Sequence, residues 1–218
     1  MSLSTAVRPP EFAPRIEVAA MLLAVDRFVI ADTFAFSRQS FHNRARILTD
    51  QGPRWLTVPR RHAGVGQPLR EVAVLDGWRR EHRAALRAAY GKTPYYEHVA
   101  PEWDEVLETT GSLADLSSAS MMFVARWLRA PADLVRASDL EGEPSNFASV
   151  AGVLEADSLV VLPESAARDR ASVPGLDVGV LEVDVPEVPP GVSALHLLMH
   201  HGPQAHVVLR AATSVKST

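Results

Sequence analysis

The side chains with the clearest chemical potential are one acidic residue and the basic residues that follow it. Asp32 comes directly after residues 27–31, a short apolar run rich in strand formers. An acid at the carboxyl end of a buried strand lies where open α/β sheets bind ligands, and it could orient a nucleophile or accept a proton. It could equally cap the next turn or form a structural ion pair. The side chains that could hold phosphate or carboxylate groups beside it are Arg38, Asn43, Arg44 and Arg46.

Two of these arginines have the spacing of a pair. In a strand, Arg44 and Arg46 point to the same face, which suits an anion clamp, although a solvated strand face has the same spacing. Lys92 follows Gly91, the predicted end of a helix, and precedes Tyr95. Lys92 and Tyr95 could contact a phosphate or a sugar, or they could be an exposed turn cation beside a core tyrosine.

The histidines offer a second candidate for catalysis and a possible metal motif. His82 shares a predicted helix face with Trp78, where it could act as a base or be a structural side chain. His196 and His200 have the i,i+4 spacing that lets two imidazoles bind one metal. The further ligands of a tetrahedral site are missing, so no metal is predicted.

The charge is unevenly distributed along the chain. Residues 38–92 contain 11 Arg and one Lys against four acidic residues, a local charge of +8, although the net charge of the chain is -4. A duplex-binding protein would show a larger surplus and a recognisable reading module, so no nucleic-acid partner is expected. Because the planar guanidinium binds phosphate and carboxylate in two places, this arginine-rich region favours a small anionic ligand.

Several classes of protein are excluded or disfavoured. The chain has no cysteine, which excludes disulfides, thiolate nucleophiles and Cys-containing metal centres. It has no Gly-x-Ser-x-Gly or P-loop string, and Gly64 with Gly66 lacks the third glycine of a dinucleotide fingerprint. We therefore expect no cofactor. The longest apolar run, residues 18–25, is far shorter than the roughly 20 residues of a membrane span, so we expect a cytoplasmic protein of undetermined oligomeric state.

The predicted elements that position these residues alternate between strands and helices. This alternation predicts an α/β fold with a mixed sheet flanked by helices, in a single compact domain over residues 15–212, preceded by an extended segment at 1–14 and followed by a frayed tail at 213–218. Strands are predicted at 27–31, 44–48 with 54–58 as a hairpin, 71–75, 133–137, 158–162 and 177–185. Helices are predicted at 15–25, 78–90, 115–130, 145–154, 164–170 and 193–201.

Seven stretches of the chain together resemble the WbqC-like protein family. The most specific are F-V-I-A-D at 28–32 and F-S-R-Q-S-F-H-N-R-A-R-I at 36–47. The others agree in the same order: P-E-F-A-P at 10–14, W-L-T-V-P at 55–59, W-R-R-E-H at 78–82, and Y-G-K-T-P-Y-Y at 90–96, with residues 193–205 as a further match.

The resemblance implies a function for the basic residues. Family members resemble proteins found among bacterial surface-polysaccharide genes, and a glycine-transferase role has been suggested for some of them. The resemblance therefore implies a group transferase, for example of glycine or an aminoacyl group, that acts on a sugar or nucleotide-sugar in O-antigen biosynthesis, with the arginines and Lys92 binding anionic groups. The alternative is a divergent, catalytically inactive binding or scaffold protein that keeps a basic anion-binding pocket. The positions that depart from the family pattern include Pro9, Arg15, Thr33, Ala35 and Ala45.

Overall fold

The computed structural model describes residues 3–38 and 40–216, so Gln39 of the family-like motif and residues 1–2 and 217–218 lie outside it. The strands, in chain order, are β1 (Ser4–Arg8), β2 (Arg27–Ile30), β3 (Arg44–Thr49), β4 (Gly52–Thr57), β5 (Asp133–Arg136), β6 (Ser158–Val161), β7 (Asp177–Val183) and β8 (Thr213–Lys216). The helices are α1 (Ile16–Ala24), α2 (Arg79–Tyr90), α3 (Tyr96–Leu107), α4 (Leu113–Trp127), α5 (Phe147–Val153), α6 (Ala166–Ser172), α7 (Leu195–His201) and α8 (Ala205–Ala211).

Six strands form one sheet in the order β5-β2-β1-β6-β7-β8, and β3 with β4 forms a separate antiparallel hairpin. The first five strands of the sheet are parallel, while β8 pairs antiparallel with β7. Numbered along the chain within this sheet, the order is 3-2-1-4-5-6, the order of doubly wound folds. The predicted mixed α/β fold is confirmed. In this order the direction of winding reverses between β1 and β6, which makes that gap the topological switch point.

Helices cover both faces of the sheet, which explains the unbroken apolar run of β2. Phe28 and Ile30 pack into the larger core, which also contains residues of α1, α4 and α7. Val29 and Ala31 pack into the second core, beneath α5 and α6. All four side chains are buried, as expected for a parallel strand covered on both sides.

The structure corrects both ends of the sequence interpretation. The N-terminal segment predicted as merely extended contains β1, the central strand of the sheet. The predicted frayed tail pairs with β7 over Thr213–Lys216. Both strands are short and have no regular alternation of polar and apolar residues, so their pairing depends on neighbours distant in sequence.

Three internal elements also differ from the prediction. The strand predicted at 71–75 is wrong: Leu69–Glu71 is a 3-10 turn, and the segment after it makes only isolated bridges. Helix α3 was not predicted because Pro101 lies inside it, yet Val99, Trp103 and Leu107 bury one helix face. Helix α8 follows a 3-10 turn directly after Gly202 and was also not predicted.

The histidines of α7 form a close pair beside Tyr90. The rings of His196 and His200 lie 4.5 Å apart, and the His196 ring is 5.7 Å from that of Tyr90. Burial, together with the charges of His200 and His201, lowers the pKa of His196 to about 4. Residues 3–38 and 40–216 contain no group of three or more metal-ligating side chains, and none of their helices has the length and apolar character needed to span a bilayer.

We predict that His196 makes the protein less stable in acid. Because its pKa is lower in the folded state, the unfolded chain binds the extra proton, so stability falls as the pH drops from about 6.5 towards 4. For His196→Gln, the loss of unfolding free energy between pH 7 and pH 5 should be smaller by on the order of 1 kcal/mol, allowing for solvent screening. Urea unfolding at both pH values measures this, with His98→Gln as an exposed control. An unchanged pH dependence would contradict the prediction.

Candidate functional site

Two adjoining cavities lie at the carboxyl edge of the sheet, by the ends of β1 and β6. Their volumes are about 570 Å³ and about 270 Å³. Arg8, Pro9, His42 and Arg168 line both cavities, so these residues form the boundary between them. The position is the switch point, where open α/β sheets bind ligands.

Charged side chains from three segments meet in the smaller cavity. Arg15 binds Glu11 with Nη2 2.8 Å from Oε1 and Nε within 3.2 Å of both carboxylate oxygens. Arg8 donates from Nη1 to Ser165 Oγ at 3.1 Å, and its Nη2 lies 3.6 Å from Glu164. Arg15 Nη1 lies 3.2 Å from the same Glu164 carboxylate. Glu164 is half exposed, whereas the two arginine side chains are only 12–13% exposed, so its carboxylate occupies a place between two buried cations that a ligand anion can take.

The Glu11 carboxylate stays ionised in this buried position. Burial by itself would raise the pKa of Glu11, but the charge and hydrogen bonds of Arg15, with the charge of Arg8, hold it below its ordinary value. A buried charge that is paired and hydrogen-bonded is tolerated where an unpaired one would be strongly destabilising. Glu11 and Arg15 therefore act as one rigid unit.

The loop from β1 to α1 leaves no backbone N–H of residues 9–16 for a ligand. Pro9, Pro10 and Pro14 have no amide hydrogen. The Glu11 amide donates to Met121 Sδ, the Phe12 amide to the Phe41 carbonyl and the Ala13 amide to Ser120 Oγ. The Arg15 amide donates to Glu11 Oε2, and the Ile16 amide donates to the Val192 carbonyl. Dinucleotide-binding folds place a pyrophosphate on the amides of this loop. Here the groups that can donate hydrogen bonds to an anion are the guanidinium groups of the arginine side chains.

His42 is the histidine that lines both cavities. Its Nδ1 lies 3.1 Å from the Pro10 carbonyl oxygen, and a carbonyl only accepts, so Nδ1 carries the hydrogen. Burial lowers the pKa of His42, although the bond to Pro10 opposes this, so the ring is neutral at pH 7. Nε2 is then unprotonated and can accept a proton.

Asp32 is placed in a structural network. It is fully buried; Oδ2 accepts from Arg136 Nε at 2.9 Å and from Ser138 Oγ at 2.7 Å, and Oδ1 accepts from Ser138 N at 3.0 Å. Arg136 also binds Asp115 at 3.0 Å. Asp32 lines neither cavity.

The predicted anion-binding residues of the hairpin lie beside the smaller cavity. Arg44 donates from Nε to the Ser40 carbonyl at 3.0 Å and stacks 4.3 Å from the Trp55 ring centroid. Arg46 donates to the Pro190 carbonyl at 3.0 Å and lies 5.7 Å from the same ring. Asn43 Nδ2 donates to the Val58 carbonyl, which joins β3 to the end of β4.

The remaining predicted residues are dispersed. Arg38 is exposed in the turn before the hairpin, and Lys92 is exposed after α2. The Tyr95 ring packs on Gly202, where any Cβ would overlap it, and Gly202 has φ +51°. His82 is buried against Trp78 with Nε2 3.1 Å from the Thr57 carbonyl oxygen. None of these residues lines either cavity, and neither does Arg44 or Arg46.

The residues that line the cavities were not selected from the sequence. Arg8 and Glu11 belong to the segment predicted as extended, Arg15 begins the first predicted helix, and Arg168 lies in a short predicted helix. Several lining residues stand inside the quoted motifs, but none of them was selected as a site residue: Glu11, Ser37, Ser40, Phe41 and His42. The sequence signal for these residues was the charged side chains in and beside P-E-F-A-P. Their place in the cleft becomes evident only when Ser4–Arg8 is known to be a strand in the middle of the sheet.

Together these features define a doubly wound α/β protein with a charged cleft at its switch point. The chain belongs to the WbqC-like protein family, whose model matches residues 9–168. An uncharacterised Mycobacterium tuberculosis protein, Rv1507c, is 34% identical over 86 residues, which are 38% of this chain and 36% of that protein. The chain thus matches about a third of that relative's length. No solved structure matches the chain.

We predict that the main role of Asp32 is structural. Asp32→Asn removes the charge that pairs with Arg136 and should lower the free energy of unfolding by about 2–4 kcal/mol. The matched control is Asp133→Asn, an exposed residue 3.7 Å from Arg27, which should change it by less than about 1 kcal/mol. Urea unfolding gives both values. An Asp32→Asn protein of normal stability that has lost turnover would instead support a catalytic role.

Proposed function

We propose that the protein is a group transferase of surface-polysaccharide (O-antigen) assembly, acting on a sugar or nucleotide-sugar whose anionic group binds in the switch-point cleft. The observation that carries this proposal is the position of the Glu164 carboxylate between the buried guanidinium groups of Arg8 and Arg15. A phosphate or carboxylate of the substrate takes that position, and Glu164, being half exposed, turns towards solvent. Arg168, with a side chain that is 79% exposed, adds a third cation at the cavity boundary.

His42 supplies the acid–base step in this proposal. An acceptor hydroxyl or amine attacks the electrophilic carbon of the donor, and the bond from that carbon to the leaving oxygen breaks. His42 Nε2 takes the acceptor proton, while Arg8 and Arg168 offset the negative charge on the leaving group. The bond from Nδ1 to Pro10 keeps the ring in the tautomer that this step needs.

The hairpin arginines fit an extended acceptor. The Arg15 guanidinium lies 4.3 Å from the Phe41 ring centroid, and Phe41 lies 5.4 Å from Trp55, on which Arg44 stacks. An anionic sugar chain that leaves the smaller cavity along Phe41 passes this row of rings and cations. The assigned roles of Arg38, Asn43, Arg46, Lys92 and Tyr95 in substrate binding, and of Asp32 and His82 in catalysis, stay predictions.

The second candidate is a binding or scaffold protein without turnover. It is favoured by the engagement of both Asp32 oxygens in the Arg136–Ser138 network and by the departures from the family pattern at Thr33, Ala35 and Ala45. Both candidates use the same cleft. Product formation distinguishes them.

We predict that Arg168→Ala weakens the binding of a nucleotide-sugar by about tenfold, since one charge-assisted contact contributes roughly 1.5–3 kcal/mol. The Arg168 side chain is largely exposed, but its Nη2 lies 2.9 Å from Oδ1 of the buried Asp169, so urea unfolding of the variant is measured beside its affinity. Calorimetric titration at two salt concentrations measures the affinity, which must fall as salt rises. Arg54→Ala, at an exposed position of β4 that lines neither cavity, is the control and should bind normally. Equal affinities for the two variants would contradict an anion site at Arg168.

We predict that His42→Gln lowers kcat by about 100-fold or more and changes KM little, because general-base catalysis contributes about that much. The control His62→Gln alters an exposed histidine. Steady-state turnover with nucleotide-sugar donors measures both. A wild-type protein that binds these donors without any turnover would favour the scaffold candidate.

A further inference from the structure

The larger cavity has an apolar wall that the anion site does not explain. Val7 and Pro9 form its floor at the end of β1, and Phe34 and Phe147 contribute half-buried aromatic rings from the loop after β2 and the start of α5. Ala148 is exposed at its mouth. A cavity of about 570 Å³ walled in this way takes a compact apolar or aromatic group, not a single ion.

The polar groups at its rim are an amide and hydroxyls, while the buried side chains of His42 and Asp169 also line the cavity. Asn146 uses Oδ1 to accept from Ser149 N, which leaves its Nδ2 hydrogens available. Ser145 and Ser37 are exposed beside it. Amide and hydroxyl groups at the edge of an aromatic-walled pocket suit the hydrogen-bonding edge of a nucleobase.

Two arginines and one carboxylate line one end of this cavity, where Arg168 Nη2 lies 2.9 Å from Oδ1 of the buried Asp169. Arg8 and Arg168 line both cavities, so a group in the apolar cavity is joined directly to the anion site. A ligand that fills both must have an aromatic part and an anionic part linked over a short distance. A long acyl or prenyl chain fits less well, because the apolar wall is limited to this one cavity while the adjoining cavity is lined by charged side chains.

We propose that the larger cavity binds the nucleoside part of a nucleoside diphosphate, with the base against Phe34 and Phe147 and the phosphates at Arg8 and Arg168. This inference rests on the proposed anion site and specifies the donor as a nucleotide-linked one. The base binds through stacking and rim hydrogen bonds, and no contact with the amides of the β1–α1 loop is involved.

The test compares uridine 5′-diphosphate, guanosine 5′-diphosphate, inorganic diphosphate and the free nucleosides by calorimetry on the whole chain. At least one nucleoside diphosphate should bind about tenfold or more tightly than inorganic diphosphate, as expected for one stacked base. Ala148→Phe fills the cavity mouth and should remove that advantage while diphosphate binding stays within twofold. Ala88→Phe, at an exposed position of α2, is the control. If Ala148→Phe does not fold, Ser172→Trp fills the same cavity from α6.

The outcomes separate the inference from the function on which it rests. Equal affinity for inorganic and nucleoside diphosphates, or equal behaviour of Ala148→Phe and Ala88→Phe, overturns the nucleoside site and leaves the anion site standing. Binding of free nucleosides that Ala148→Phe abolishes, with no gain from phosphates, supports the nucleoside site and overturns the anion site. Failure of all these probes to bind overturns both.

Discussion

The ion pair of Glu11 with Arg15 is the constraint on which the rest of the site depends. Two charges with side chains only 6% and 12% exposed are tolerated because the guanidinium and the Arg15 amide bind both carboxylate oxygens. The pair fixes the β1–α1 loop and places a carboxylate at the start of α1. It also directs Arg15 Nη1 to Glu164 and the guanidinium face to Phe41. The cleft thus has side-chain cations where related sheet topologies use loop amides.

A second ionic network supports the sheet on the other side of β1. Arg136 joins Asp32, at the end of β2, to Asp115, whose carboxylate also accepts from the amide and hydroxyl of Ser112 and so caps α4. Burial would raise the pKa of Asp115, but these bonds hold it below its ordinary value. The network therefore ties two strands to the longest helix and gives Asp32 a structural role.

The elements that could be predicted are those whose pattern is local. The apolar run of β2, the hairpin around Gly52 and the amphipathic face of α4 each follow from their own residues, and the alternation after residue 130 predicts the α/β class. Strands β1 and β8 could not be predicted, because their burial depends on partners distant in the chain. The cavities could not be predicted for the same reason, because Arg8, His42 and Arg168 become neighbours only when β1 lies between β2 and β6. The motif residues Asn43 and Arg44 were visible, but their contacts with Val58, Ser40 and Trp55 show that they help to build the hairpin.

The central position of β1 has a consequence for how the chain folds. One edge of this strand pairs with β2, which follows it after a single helical crossover through α1. The other edge pairs with β6, where Ser158 is opposite Ser4. During synthesis that edge stays unpaired until residues about 150 positions later have emerged, and contacts of such long range slow folding. The polar residues Ser4 and Thr5 and the charged Arg8 lower the tendency of this unpaired strand edge to pair with other chains. The strand that carries Arg8 to the cleft thus completes its pairing only after β2 and β5 have been made.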